Sequence, residues 1–210
     1  MLIYLAASLL LDSVQANSDS PLPRYLLRAR QVRADQVAAL AYYVGLPFGA
    51  VLAGAADFPV HLGLAGMDWP ASLARGAALG LAIFLGMAGI AGYVQRHTPE
   101  ARCEGLAGEW EPWFLALCRE AHWAFYRLPG ILLMGDFLWG TFIGAALALL
   151  ERAGDPRWLR AATAPRTALA VWLDVALLVG MSVAFYLVRN FFVLWAVHAV
   201  LIWAGRKAFR

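Results

Sequence analysis

Six apolar stretches, separated by short polar or basic segments, constrain the fold of this chain more than any other sequence feature. They cover residues 37–56, 73–94, 112–127, 131–150, 168–188 and 191–205. A helix of about 20 apolar residues is long enough to cross the hydrocarbon core of a bilayer. The sequence therefore predicts an all-α, polytopic membrane protein with about six transmembrane helices.

The amino-acid composition favours the same class of protein. Of the 210 residues, 62% are hydrophobic and only 15% are charged, whereas soluble domains are about half apolar and a quarter charged. The nine tryptophans also suit a membrane protein, because indole rings concentrate at the membrane–water boundary. The basic residues lie in loops without interleaved aromatic residues, so we expect a lipid bilayer as partner and no nucleic acid.

The first 36 residues differ from the rest of the chain. Residues 1–11 are apolar, but a helix of that length rises only about 16 Å and cannot cross a bilayer core of about 30 Å. A polar linker at 17–23 and four arginines at 24–33 follow. We therefore predict two regions, an N-terminal interfacial helix with a basic linker at 1–36 and a six-span membrane domain at 37–210.

The distribution of basic residues predicts the orientation of the chain. If the N-terminal segment is cytoplasmic, thirteen of the seventeen Lys and Arg residues fall on the cytoplasmic side of the six predicted spans. Short loops rich in Lys and Arg remain on that side of a membrane. The sequence therefore predicts an integral membrane protein with both ends cytoplasmic, and a bacterial plasma membrane is the expected location.

Ionisable residues interrupt the third and sixth apolar stretches. Glu120, His122 and Arg127 lie in the third stretch, and His198 lies at a similar depth in the sixth. Glu120 and Arg127 are seven residues apart and therefore share one helix face. We predict a mid-membrane cluster of Glu120, His122 and His198, with Arg127 and Asp136 near its outer mouth.

Two interpretations of this cluster remain open, because charges at membrane depth need either a partner or a function. In one, a carboxylate and histidines bind and activate a water molecule in a polar cavity. In the other, paired charges fix the register of the helices. Arg119 and Asp174 lie on the inner side of the third and fifth stretches and are expected to neutralise each other. The glycine pairs 45/49, 76/80 and 140/144 predict close helix packing.

Two sequence motifs resemble those of a known family. The segment His122-Trp123-Ala124-Phe125-Tyr126-Arg127 is followed later in the chain by the segment 189–198, which ends in His198. They resemble the EExxxR motif and the final HxxxN or HxxxD motif of the CPBP family, the CAAX-protease and bacteriocin-processing intramembrane endopeptidases. In this resemblance Arg127 matches the arginine of the first motif and His198 the histidine of the last. The resemblance implies the polytopic fold of that family.

The chain departs from the family at the positions that would carry catalysis. His122 and Trp123 replace the two glutamates, and Ile202 stands at the Asn/Asp position of the last motif. Thr141 and Ala146 stand where the histidine of the family's FxxxH motif would follow Phe137 or Phe142. Glu120 lies about 200° around the helix from His122. We therefore predict a non-catalytic scaffold or accessory subunit of a membrane protein complex.

Two further functions remain open. In the first, the protein is an intramembrane endopeptidase whose site contains Glu120, His122, Arg127 and His198. In the second, His122 and His198 are axial ligands of a chlorophyll or haem. A transporter is less favoured, because only Pro47 suggests a broken helix and no internal repeat is visible. Cys103 and Cys118 have no metal-site spacing, and the sequence names no cofactor.

Overall fold

The structure is a computed structural model that describes residues 37–38, 40–54, 68–101 and 111–209. Every regular element in these residues is helical, which confirms the all-α class there. The interfacial helix and basic linker predicted at 1–36 lie outside the described residues.

Seven α-helices occur in the described residues. They are α1 (Leu46–Leu52), α2 (Trp69–His97), α3 (Pro112–Met134), α4 (Phe137–Ala153), α5 (Pro156–Thr163), α6 (Ala168–Val188) and α7 (Phe191–Ala208), and a π-helical turn (Ala41–Gly45) precedes α1. By length and composition, α2, α6 and α7 can each cross a membrane, and α4 with α5, bent by 88°, forms a fourth candidate. The described residues thus contain three or four candidate spans, where the sequence predicts six.

Short polar side chains begin four of these helices. Asp68, Asp136, Asp155 and Asn190 each accept a hydrogen bond from a backbone N–H in the first turn of α2, α4, α5 and α7, respectively. Such caps satisfy donors that have no partner within the helix. Asp136 falls within the fourth predicted span, 131–150, but the structure places it before the first residue of α4, so its predicted position inside a span is wrong. Its Oδ1 accepts from the Leu138 N–H at 2.6 Å, and it lies exposed in the connection between α3 and α4.

The apolar stretches that end at residue 127 and begin at residue 131 imply a turn at Leu128-Pro129-Gly130, and this prediction is also wrong. Helix α3 continues through Pro129 and ends at Gly135, which has a left-handed φ of 65°. A proline inside a helix removes one backbone hydrogen bond. Here the residue after Pro129, Gly130, packs closely on α4. A Cβ atom at Gly130 would lie only 2.8 Å from Gly140 Cα. The helix ends five residues later at Gly135, because a glycine adopts the left-handed conformation without a steric clash.

Glycines allow two helix pairs to approach closely. Gly140 and Gly144 face the backbone of α3, and a Cβ at Gly144 would lie 2.9 Å from Arg127 N. Gly76 and Gly80 instead face the side chains of Val193 and Val197 of α7, and the packing role predicted for both pairs is confirmed. The prediction for 45/49 is not met in the described residues, because a Cβ at Gly49 would have no neighbour within 4 Å.

The interruption predicted at Pro47 takes the form of a π-helical turn. The Leu46 N–H donates to the Ala41 carbonyl, and Pro47 occupies the first turn of α1. A proline ring clashes with the carbonyl four residues earlier and lacks an N–H, so the helix widens before it. The widened turn carries Tyr42 and Tyr43, which contact His122 of α3.

The most completely buried helix is α6, which lies among α2, α4 and α7. Its core side chains Leu173, Leu177, Leu178 and Met181 are fully buried. Helix α7 also packs on α3. Trp195 Nε1 donates to the Trp113 carbonyl at 2.8 Å, although strict alternation of spans would put these residues near opposite boundaries. The polar residues of α3 contact residues of α4, α6 and α7.

Candidate functional site

The centre of the site is a carboxylate that is almost completely buried. Glu120 Oε1 lies 2.7 Å from His198 Nδ1, and Glu120 Oε2 lies 3.9 Å from an Arg127 guanidinium nitrogen. These three residues are 1%, 0% and 1% exposed, respectively. The structure thus brings together Glu120, Arg127 and His198, as the helix-face and depth arguments predict. We call these three residues the core cluster.

Aromatic rings and helix backbone enclose the core cluster. The Arg127 guanidinium lies 3.9 Å from the centre of the Phe185 ring, and the stem of Arg127 packs where Gly144 has no side chain. Trp123 stacks on the His198 imidazole with ring centres 5.1 Å apart. A cation over an aromatic face gains electrostatic stabilisation when it is removed from water. The cluster therefore fills the interior between α3, α6 and α7.

His122 does not join the core cluster, contrary to the prediction. It lies about 200° around α3 from Glu120, and its Nε2 contacts Glu151 Oε2 at 3.1 Å. The Tyr42 hydroxyl donates to the other oxygen of Glu151 at 2.9 Å. Three tyrosine rings surround the imidazole, with centres 4.9 Å (Tyr42), 4.7 Å (Tyr43) and 4.3 Å (Tyr126) away. We call this second group the tyrosine–histidine cluster.

Glu151 was not predicted as a site residue, because the fourth apolar stretch ends at residue 150. Helix α4 continues to Ala153, and the extra turn carries Glu151 into contact with His122. A usable signal was present, since Gly154-Asp155-Pro156 combines a helix stop with the cap and first proline of a new helix. That signal places the end of the helix beyond Glu151.

A third polar group joins α3, α4 and α6. The predicted pairing of Arg119 with Asp174 is present at 2.7 Å, and Arg152 contacts the other carboxylate oxygen at 2.6 Å. The sequence argument did not foresee Arg152, which lies on the same last turn of α4 as Glu151. Its guanidinium also lies 5.7 Å from the centre of the Trp123 ring. We call these residues the arginine–aspartate triad.

The three groups together balance their charges. They contain three arginines and three carboxylates. Glu120 and Asp174 pair with the arginines, and Glu120 and Glu151 also contact the imidazoles of His198 and His122, respectively. A buried ion whose partner is removed costs several kcal/mol, so each group holds its helices in one register. Glu120 in particular directs one oxygen at His198 and the other at Arg127, and it would need release from both to act on water.

The two histidines differ in their surroundings. His198 Nε2 and His122 Nδ1 are buried and have no hydrogen-bond partner among the described residues. Each is a free ring nitrogen of the kind that ligates iron or magnesium. His198 is stacked on Trp123 and His122 is enclosed by tyrosines, so a macrocycle at either would require those rings to move. No group of three His, Cys, Asp or Glu residues in the described part could hold a metal ion.

No protein-family model, characterised protein or solved structure matches this chain. The resemblance to the CPBP endopeptidases therefore stays a prediction.

Proposed function

We propose that the protein is a non-catalytic scaffold or accessory subunit of a membrane protein complex, with a fold that resembles the CPBP endopeptidases. The observation that carries this proposal is the enclosed state of Glu120. The one carboxylate at the centre of the predicted site is 1% exposed and is held by His198 and Arg127. A general base must reach the proton that it abstracts, whereas a carboxylate held in this way fixes the packing of α3 against α7.

The proposal includes six spans with both ends cytoplasmic, in a bacterial plasma membrane. The pairing of charges on α3 supports a membrane position for this helix, whose charged residues are Arg119, Glu120 and Arg127. Each of those residues has an oppositely charged partner, as intramembrane charges require. Exposed tryptophans near helix ends, including Trp113, Trp139 and Trp203, fit the boundary position that indole rings favour.

Helix α2 supports a contact with other subunits. It is the longest helix in the described residues, and only 11% of its apolar window is buried. One face packs on α7 through Gly76 and Gly80, whereas a Cβ at Gly86, Gly89 or Gly92 would meet nothing within 4 Å. In membranes, helices associate through small residues that allow close backbone approach. This outward face of α2 is suited to a transmembrane helix of another subunit.

The test is purification in mild detergent with quantification of co-purified membrane proteins. We expect a partner at fixed stoichiometry that is lost in Gly89→Leu, because a large side chain closes the outward face. The matched control Leu85→Ile changes an exposed residue of the same helix and is expected to retain the partner. A clean monomer from native membranes, or equal partner recovery from Gly89→Leu, would refute the proposed contact.

A second candidate function is intramembrane endopeptidase activity, and the tyrosine–histidine cluster is the observation that favours it. The Glu151 side chain is 22% exposed and lies 3.1 Å from His122, so this pair is more accessible than the core cluster. A carboxylate that orients an imidazole is a common arrangement for general-base catalysis. Peptide cleavage that is lost in Glu151→Gln and retained in Glu120→Gln would establish this alternative. Absence of cleavage in the wild type would remove it.

A further inference from the structure

Helix α5 differs from its neighbours in direction. It bends by 88° from α4 after a two-residue break, so it runs along the membrane surface when α4 crosses the membrane. Asp155 caps its start by accepting from the Arg157 N–H at 2.8 Å. At its other end, the Thr167 hydroxyl donates to the Ala161 carbonyl at 2.8 Å. The second bond ties α5 to the start of α6, and α5 also packs against α4 and α6.

The side chains of α5 divide into two types. Arg157 and Arg160 are exposed and, three residues apart, lie on the same side of the helix. Leu159 is 48% exposed and Trp158 is half-buried, with an indole N–H that has no acceptor in the described part of the chain. An amphipathic helix of this type lies in the boundary between hydrocarbon and headgroups. We call Arg157, Arg160, Trp158 and Leu159 the α5 surface.

The charge of this segment is strongly one-sided. Residues 154–167 contain three arginines, 157, 160 and 166, and a single acid, Asp155. One acid can offset only one of the three arginines, so the segment keeps an excess of two positive charges. All three arginines are exposed, and the complementary ligand of such a surface is an anion.

We propose that the α5 surface binds the phosphate headgroups of anionic lipids in the membrane leaflet that it faces. Arginine guanidinium groups bind phosphate oxygens through paired, charge-assisted hydrogen bonds. The fixed in-plane helix places both arginines at headgroup level while Leu159 and Trp158 enter the acyl boundary. Basic residues near an anionic leaflet each contribute to binding, and the contribution falls with salt.

The test uses the full chain in neutral maltoside micelles, with the unfolding midpoint followed by intrinsic fluorescence during titration with phosphatidylglycerol. We expect the midpoint to rise with phosphatidylglycerol but not with phosphatidylcholine at the same mole fraction. In the double variant R157Q/R160Q, the lipid concentration for half the rise should increase about 25-fold. The control R75Q/R96Q removes two exposed charges from α2 and should keep the response.

Three results would overturn the proposal. The first is a rise of equal size with both lipids in the wild type. The second is an unchanged response in R157Q/R160Q. In the third, inorganic phosphate alone produces the full rise, which would assign the surface to a water-soluble anion instead of a lipid. Loss of the lipid response at high salt in the wild type would support the electrostatic contact.

Discussion

Replacement of Glu120 by glutamine tests directly whether the core cluster is a structural lock, that is, whether it stabilises the packing of α3 against α7. The glutamine amide oxygen can still accept a hydrogen bond from His198, so the change mainly removes the negative charge. The positive charge of Arg127, itself 1% exposed, then has no carboxylate partner among the residues that the structure describes. Breaking a buried ion pair by removing one partner costs about 3–5 kcal/mol. We expect a loss of this size in the free energy of unfolding.

The assay is reversible unfolding in mixed micelles, followed by circular dichroism, and a heat-unfolding midpoint lower by roughly 6–20 °C should accompany the loss. Glu111→Gln is the matched control, because it neutralises an exposed carboxylate at the start of the same helix, and it should be near neutral. The double variant E120Q/R127M should regain part of the loss, since it leaves no buried charge without a partner and keeps an apolar stem beside Gly144.

A different outcome would refute this argument. If Glu120→Gln is as stable as the wild type, the core cluster is not a lock. If that variant is stable and has also lost a measurable peptide-cleaving activity, Glu120 is a catalytic carboxylate instead, because active-site residues are often replaced without loss of stability.

Three further predictions concern the other contacts. Gly144→Ala should destabilise the protein by about 1–3 kcal/mol, because a Cβ there would lie within 3.0 Å of the α3 backbone. The control Gly92→Ala should not lower stability, because the space around Gly92 is open. Equal unfolding midpoints for the two variants would contradict the packing. Asp174→Asn should lower stability by about 3–5 kcal/mol, since two arginines share this carboxylate, and a shift below about 1 kcal/mol would mean that water replaces it. Tyr42→Phe should cost about 1–1.5 kcal/mol by removing the hydrogen bond to Glu151, which thermal unfolding measures; a neutral result would show that the contact contributes nothing.

The contacts that the sequence predicted correctly are those set by helix periodicity. Glu120 and Arg127 share a face because they are seven residues apart, and the break between the apolar stretches that end at 188 and begin at 191 is the break between α6 and α7. Arg119 meets Asp174 because both lie near the same end of their helices. These arguments need only the 3.6-residue repeat and the direction of the chain.

The errors arise where a local signal competed with tertiary packing. Pro129 is a strong helix breaker in isolation, yet α3 continues because Gly130 fits against Gly140. The partner of His122 could not be found, because an apolar-stretch criterion excludes the charged last turn of α4 that carries Glu151. The packing of α7 on α3 depends on which side chains fill the interior, and helix periodicity alone does not predict which helices pack together.

The glycine contact between α3 and α4 has a mechanical consequence. Where Gly140 and Gly144 touch the backbone of α3 around Arg127, neither helix can slide or rotate against the other without collision of main-chain atoms. The two helices therefore move as one rigid hairpin, with the Gly135 turn inside it. Arg127, and Glu120 two turns earlier on the same face of α3, keep their positions relative to α4 whenever this hairpin moves.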